Sequence, residues 1–388
     1  MRPPGKHRAH SPFRRHPSLD YRPPPYLRNL KLGLIAFCTI AGAAIAYVVF
    51  WFVIAVQFRA AAVEWAEARQ ADGYAVAYAN MVLSGFPWRV RLDMDAPAFA
   101  APASPAAWEW KGSRAALEAR PWLPWRVRVD ISGAQLFALT HAGGPVRYSG
   151  QADRLTADLV LSFAGAEEAE LNVAGLEAAA GEGSGRFAVS RASIFLKAYP
   201  DADADYRTRT FEVGFDGAGL QAPKGLSLPL GERFETLKFS ADLMGRIAGG
   251  RLSESLAVWR DQGGTLEVVG LHVGYGPLVL DAGGTLALDE TMQPAGAFTA
   301  KAQGFFETID ALRRNGLVRA RDAITAKVVL GALAKRPRNG GPATLNLALT
   351  MQQGKLYAGP VPIADIPEID WGSPAPGETP GSKASPGQ

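Results

Sequence analysis

Three groups of side chains in this 388-residue chain have types and spacings that chemistry can use. The first is the run Pro200–Tyr206, where Asp201, Asp203 and Asp205 stand at alternate positions, as carboxylates do at the start of a calcium loop. The pattern departs after the third acid, where Tyr206 replaces the turn glycine and Glu212 falls at the twelfth position only in an altered loop. A solvated acidic turn is the competing reading. The second group is the histidines. His7, His10 and His16 lie irregularly spaced among arginines near the start, so a solvated tail outweighs a metal tract; His141 and His272 are 131 residues apart and match no metal-ligand or nucleophile pattern. The third is Gly181-Glu182-Gly183-Ser184-Gly185, which misses the nucleophile elbow by register and reads as a hairpin loop.

No phosphate-binding loop or dinucleotide fingerprint is present, so no cofactor is implied. The single cysteine, Cys38, lies in an apolar run, which leaves the rest of the chain without a disulfide, a thiolate metal site or a cysteine nucleophile. A carboxylate pair for glycoside hydrolysis is set by distance in space, and nothing in the order of residues singles one out. The expectation is a protein without catalytic residues and without a bound metal; a hydrolase lacking the usual motifs is the reading this displaces.

The element that must position everything else is Leu32–Val56, twenty-five residues without a charge, about 37 Å long as a helix and so able to cross a bilayer core of about 30 Å. Before it stand eight basic residues and one acid, a net of +7, which places the N-terminus in the cytoplasm and the remainder outside. The rest of the chain carries 33 basic and 36 acidic residues, so the overall basic balance belongs to the tail and is no argument for nucleic acid as a partner. The apolar run exceeds the core of a signal peptide, although small residues at Ala60–Ala62 offer a cleavage site. The expected location is the inner membrane, crossed once, with the bulk of the chain in the periplasm.

The chain divides into a basic tail (1–31), the membrane helix (32–56), a helical connector (57–73), a β-rich domain (74–371) and a Pro- and Gly-rich end (372–388). In the β-rich part apolar residues recur at every second position. Phe86, Trp88, Val90, Leu92 and Met94 share one face, with Arg89, Arg91, Asp93 and Asp95 on the other. The same alternation marks Trp125, Val127, Val129 and Ile131; Leu155, Leu159, Leu161 and Phe163; Ala169, Leu171 and Val173; Phe211, Val213 and Phe215; Leu237, Phe239 and Leu243; and Leu345, Leu347 and Leu349. Gly263-Gly264-Thr265-Leu266 and Gly283-Gly284-Thr285-Leu286 each read as opening a short strand. Helical spacing returns only between Gln303 and Arg336, in one helix with Phe305, Ile309 and Leu312 inward and a second with Ala323, Ile324 and Val328 inward. The fold predicted is mainly β: an elongated, curved antiparallel sheet with a few short helices, preceded by one transmembrane helix.

Two stretches carry a resemblance. Leu83-Ser84-Gly85-Phe86-Pro87-Trp88-Arg89-Val90 and Gly354-Lys355-Leu356-Tyr357-Ala358-Gly359-Pro360-Val361-Pro362-Ile363, the latter closing on Ile366–Trp371, resemble the N- and C-terminal signatures of a bacterial family of unknown function, number 2125. Gly85, Phe86, Pro87, Trp88, Gly354, Tyr357, Gly359 and Pro360 are packing and turn residues in those signatures. The resemblance implies an anchored periplasmic β-rich protein with no assigned activity, and no catalytic residue carries over. The layout is also similar, at the level of fold, to AsmA-like envelope proteins, whose curved sheets are thought to hold lipid in an apolar groove.

Helices as short as those after Gln303 cannot cover every apolar strand face, so the sheet either curls on itself or keeps a face open. Phospholipid is then the expected ligand, with Trp125, Val127, Val129, Leu155, Leu159, Leu161 and Phe163 as groove lining. The alternative partner is another envelope protein, bound by a scaffold that holds no lipid. Arg89, Arg91, Arg126 and Arg128 would form a basic stripe on the opposite face if their strands were neighbours, or a self-paired one with Asp93, Asp95 and Asp130.

Overall fold

The computed structural model describes residues 25–101, 107–141, 144–162, 165–181, 184–200, 205–223, 228–247, 252–335, 341–369 and 371. Contacts divide the chain into two compact units, the first ending at Val53 and the second starting at Ile54. A single helix, α1 (Pro25–Ala71), runs from one into the other, so the apolar run and its connector are one element. It is the one helix among the described residues long and apolar enough to span a membrane. The Ala-, Glu- and Arg-rich stretch from Arg59 carries it to Gly73, whose left-handed backbone ends it. The last turns belong to the second unit. There the Trp65 ring lies 5.9 Å from that of Phe99, on which Tyr74 also stacks, and Gln70 Nε2 donates to the Val76 carbonyl.

Beyond α1 the chain is a meander of antiparallel strands: β1 (Ala75–Ala77), β2 (Met81–Ser84), β3 (Val90–Asp95), β4 (Ala98–Ala101), β5 (Trp108–Gly112), β6 (Arg114–Arg120), β7 (Leu123–Asp130), β8 (Gly133–His141), β9 (Gly144–Ser162), β10 (Gly165–Ala180), β11 (Ser184–Ala198), β12 (Arg209–Gln221) and β13 (Arg233–Met244). There follow α2 (Leu252–Asp261), β14 (Thr265–Tyr275), β15 (Leu278–Leu288), β16 (Pro294–Gln303), α3 (Phe305–Arg314), α4 (Ala320–Leu333), β17 (Leu345–Gln352), β18 (Lys355–Ala358) and β19 (Val361–Asp365). All nineteen strands join in one sheet. From β9 to β19 each strand pairs with the next. The other edge of β9 is shared. Its first half pairs with β8, and onward to β5, β4 and β1; its second half pairs with β7, and onward to β6, β3 and β2. The sheet therefore forks at β9 and is not closed.

The fork continues as a crease through the unforked strands. Asp153 and Gly175 drop out of the β9–β10 ladder, as do Ser190 and Gly219 between β11 and β12. Across that line the apolar positions step by three residues instead of two. Leu155, Val173, Ala192, Gly217 and Leu237 pair in one row, and Ala152, Leu176, Val189, Leu220 and Phe234 in the next. Gly175 (φ 58°) holds a left-handed backbone there, and a Cβ on it would meet the Asp153 carboxylate at 2.1 Å.

Four expectations need correction. Phe86 and Trp88 are not on the inner face: they are 51% and 72% exposed, because the chain turns from Gly85 to Arg89, closed by the Arg89 N–H on the Gly85 carbonyl, and the strand starts only at Val90. Reading alternation through that turn assigned them wrongly. Helix α2 was not expected; it is short, and its buried Trp259 donates Nε1 to the Met244 carbonyl at 2.8 Å. On α4, Ala323 is inward, but Ile324 and Val328 are 66% and 68% exposed, because Leu330 and Ala334 turn the other side of the helix onto Ala302, Phe305 and Leu345. Finally, Gly263-Gly264 leads into β14, whereas Gly283-Gly284 lies inside β15, paired across to Val268 and Phe298.

Candidate functional site

The cross-strand register assembles two apolar rows on one face. Val90, Ala119, Val127, Leu159, Ala169, Leu196 and Val213 follow one another across β3, β6, β7, β9, β10, β11 and β12. Leu92, Leu117, Val129, Ala157, Leu171, Ile194 and Phe215 form the row beside it. Val90 and Leu92 are fully buried, and Val127 is 6% exposed. Towards the central strands the cover thins: Leu161, Ile194 and Leu196 are 38%, 41% and 44% exposed. A hollow of about 510 Å³ continues this face at the strand ends, walled by Ala166, Ala198, Phe211 and Ile247 with Tyr199 and Arg246 at its rim.

Of the residues expected to line a groove, the structure brings Val127, Val129, Leu155, Leu159 and Leu161 onto adjoining strands of this face. Val127 sits in the covered part and Leu161 in the open part. Trp125 lies before the β7–β9 ladder, which starts at Arg126, and its ring is 48% exposed. Phe163 falls outside the described residues. Ile194 and Leu196 were not anticipated as lining. Their alternation is hidden by Phe195 between them, which points to the opposite face and fills the space that a side chain on its partner Gly214 would take, its ring 2.0 Å from where that Cβ would be. The signal available was the apolar pair two residues apart, Ile194 and Leu196.

The opposite face is charged and paired within itself. Arg89 and Arg91 both reach Glu118, Arg91 also holds Asp93, Arg128 Nε lies 2.7 Å from Asp158, and Lys197 Nζ lies 2.7 Å from Glu168. Strand β6 separates β3 from β7, so the arginines do not form one stripe; Glu118, between them, is the acid that draws them together. Lys197 holds the Glu168 carboxyl below the usual carboxylate range, and Asp158 holds the Arg128 guanidinium above its own. A depression of about 720 Å³ is lined by two of these ion pairs, Arg128–Asp158 and Lys197–Glu168, together with Glu118.

The residues considered for chemistry are scattered. His272 Nδ1 lies 2.7 Å from Asp281, a neighbour on the next strand. His141 ends β8, and its side chain is outside the described residues. Asp201 and Asp203 are also outside them. Asp205 accepts from the Arg207 N–H and the Thr208 hydroxyl, as in a capped turn, and this lowers its pKa. Among the described residues no group of three or more His, Cys, Asp or Glu is placed to hold a metal ion.

Both signature stretches are structural devices. The first is the β2–β3 turn, where Gly85 (φ 101°) brings its α-carbon so close to Arg89 that a Cβ would meet the Arg89 carbonyl at 2.6 Å. The second builds the edge hairpin β18–β19: Gly354 turns the chain into it, Tyr357 pairs with Thr350 and Pro362, and the Gly359 N–H donates to the Ala348 carbonyl ahead of the next strand. Pro360 stands in that turn. The chain then folds back over the β15–β16 turn. Ile369 and Gln293 exchange two hydrogen bonds, and Trp371 Nε1 donates to the Met292 carbonyl.

A family model described as an uncharacterized protein conserved in bacteria (DUF2125) matches residues 51–367, a span that contains the first signature and the second as far as Pro367. Neither a curated protein nor a solved structure matches the chain, and so no AsmA-like relative is among the comparisons. With most of its length covered by that model, the chain belongs to the DUF2125 family.

Proposed function

We propose that this chain is a non-catalytic, membrane-anchored envelope protein that holds the acyl chains of phospholipid against the open apolar face of its central strands. The observation that carries the reading is the exposure of Leu161, Ile194 and Leu196 on a face where their cross-strand partners, Ala166, Leu171, Phe215, Ala169 and Val213, are all apolar. Contiguous apolar surface of this kind is seldom left without an occupant. Acyl chains suit it because they need no hydrogen-bonding partner, and the apolar rows present none. The basic tail of net +7 supports a cytoplasmic N-terminus, an inner-membrane anchor and a periplasmic sheet.

The reading is tested in the full-length chain, kept in its native membrane, with photoreactive p-benzoylphenylalanine in place of Leu161, Leu196 or, on the charged face, Ser193. Lipid adducts found by mass spectrometry at 161 and 196 and not at 193 are the expected result. Leu159→Glu should then reduce the adducts formed at 196. Adducts to another protein at 161 and 196, with no lipid, would replace this reading with that of an envelope scaffold.

A further inference from the structure

The register places the β2–β3 turn, the β6–β7 turn and the end of β9 at one edge of the sheet, because Val90 pairs with Ala119, Arg120 with Leu123, and Arg126 with Val160. Four large aromatic side chains stand out there: Phe86 at 51% exposure, Trp88 at 72%, Trp122 at 46% and Trp125 at 48%. Trp122 sits at the tip of its hairpin beside the buried Pro121, so the turn is braced from within while the indole faces outward. Arg120 and Arg126 flank it, both exposed. The same chain carries a helix long and apolar enough to span a bilayer, and such an anchor would keep a lipid surface within reach of the sheet.

We propose that this aromatic and basic strand end is a bilayer-docking surface, with the indoles at the level of the lipid headgroups and glycerol and the arginines toward phosphate. Indoles prefer that zone because an apolar ring and one polar N–H fit a boundary between hydrocarbon and water, and arginine at such a boundary pairs with phosphate. A protein partner of ordinary composition would not require three indoles and two guanidiniums around strand tips while leaving the apolar strand faces beside them untouched. The docking end is also the end at which Leu161 and the 510 Å³ hollow lie, since Leu161 follows Val160 in β9. If lipid does occupy the apolar face, this is where it would enter. The docking itself holds whether or not that face carries lipid.

The test uses the full chain with Cys38→Ser and one new cysteine, Trp88→Cys or Trp122→Cys, labelled with an environment-sensitive fluorophore. Val361→Cys, on the far edge strand and 57% exposed, serves as the control. Each protein is reconstituted in vesicles of phosphatidylcholine and phosphatidylglycerol with and without brominated acyl chains. Labels at 88 and 122 should shift to the blue on transfer from detergent to vesicles and be quenched by bromolipid about twofold or more relative to 361. Labels at 88 and 122 that stay as open to aqueous iodide as the label at 361 would overturn the proposal. So would shielding that appears already in detergent and grows with protein concentration, which would assign the surface to a second copy of the chain.

Discussion

Val90 and Leu196 belong to the same cross-strand row, yet one is fully buried and the other 44% exposed. Leu92 and Ile194 repeat the contrast in the row beside it, at 0% and 41%. The residue types, the strand conformation and the apolar face are the same at both ends. What differs is the company. On the forked side Leu92 is fully buried and pairs with Leu117, which lies between the buried Ala115 and Ala119 on the same face of β6. On the central strands Ile194 and Leu196 keep roughly two fifths of their surface open among the described residues. The lesson is that period-two patterning says which residues share a face and is silent on whether anything covers it.

The sharpest way to break this comparison is to truncate both ends of a row. Leu92→Ala should lower unfolding free energy by about 2 to 5 kcal/mol, the range for a leucine lost from a closed core. Leu196→Ala should cost less than about 1 kcal/mol, because the side chain gives up little burial. Chemical denaturation followed by circular dichroism reads both. Equal losses would mean that the central strands are as well covered as the forked end.

The crease supplies the next largest effect. Gly175→Ala should destabilise by about 1 to 2 kcal/mol, since an L side chain at φ 58° meets its own backbone and here the Asp153 carboxylate as well. Melting that is unchanged by the substitution would show that the crease tolerates an ordinary residue.

Smaller still is the expected effect of Trp88→Ala, within about 0.5 kcal/mol for a ring 72% exposed at a turn. A loss of several kcal/mol in thermal unfolding would restore the alternation reading that put Trp88 inside.

Last comes an acid-side effect at the covered end. Burial raises the Asp130 pKa, but the hydroxyl and N–H of Ser132, with Arg114 and Arg91 nearby, outweigh it and leave the carboxyl below its ordinary value. A depressed folded-state pKa stabilises fully above the unfolded value of about 3.9 and is lost as pH falls through the folded value. Asp130→Asn should therefore be less stable than the parent at neutral pH, and the gap should close below about pH 4. A gap that persists undiminished in acid would assign the effect to packing.

Much of the fold was legible because its signals are local. An uncharged run of twenty-five residues demands a helix long enough to cross a bilayer, and the strands at Leu155–Leu161, Phe211–Phe215 and Leu345–Leu349 announce themselves by alternation. The misreadings came where local signals stop being sufficient. Phe86 and Trp88 alternate in phase with Val90, but a turn at Gly85–Arg89 separates them from it. Helix α2 is a ten-residue segment that buries Leu256 and Trp259, and the role of Trp259 is recognisable only once the Met244 carbonyl is seen to be waiting for it. Ile324 and Val328 had helical spacing and the wrong side, because both sides of α4 are apolar and only Leu330 and Ala334 face Phe305 and Leu345. Of the candidate site, one strand pair was readable; Ile194 and Leu196 were not, because Phe195 breaks the pattern for a reason that lies in Gly214 on another strand.

By itself, then, the order of residues determined the long apolar helix, the β class, the family signatures and the existence of an apolar face, since charge, hydropathy and backbone propensity act over a few residues at a time. The tertiary structure alone decided that the sheet forks at β9, that Glu118 joins Asp93 in pairing Arg91 and also holds Arg89, and that cover thins from Leu92 to Ile194 across the same face. Each of these depends on which strands lie side by side. That choice is made by contacts between residues far apart in the chain, and no short stretch contains it.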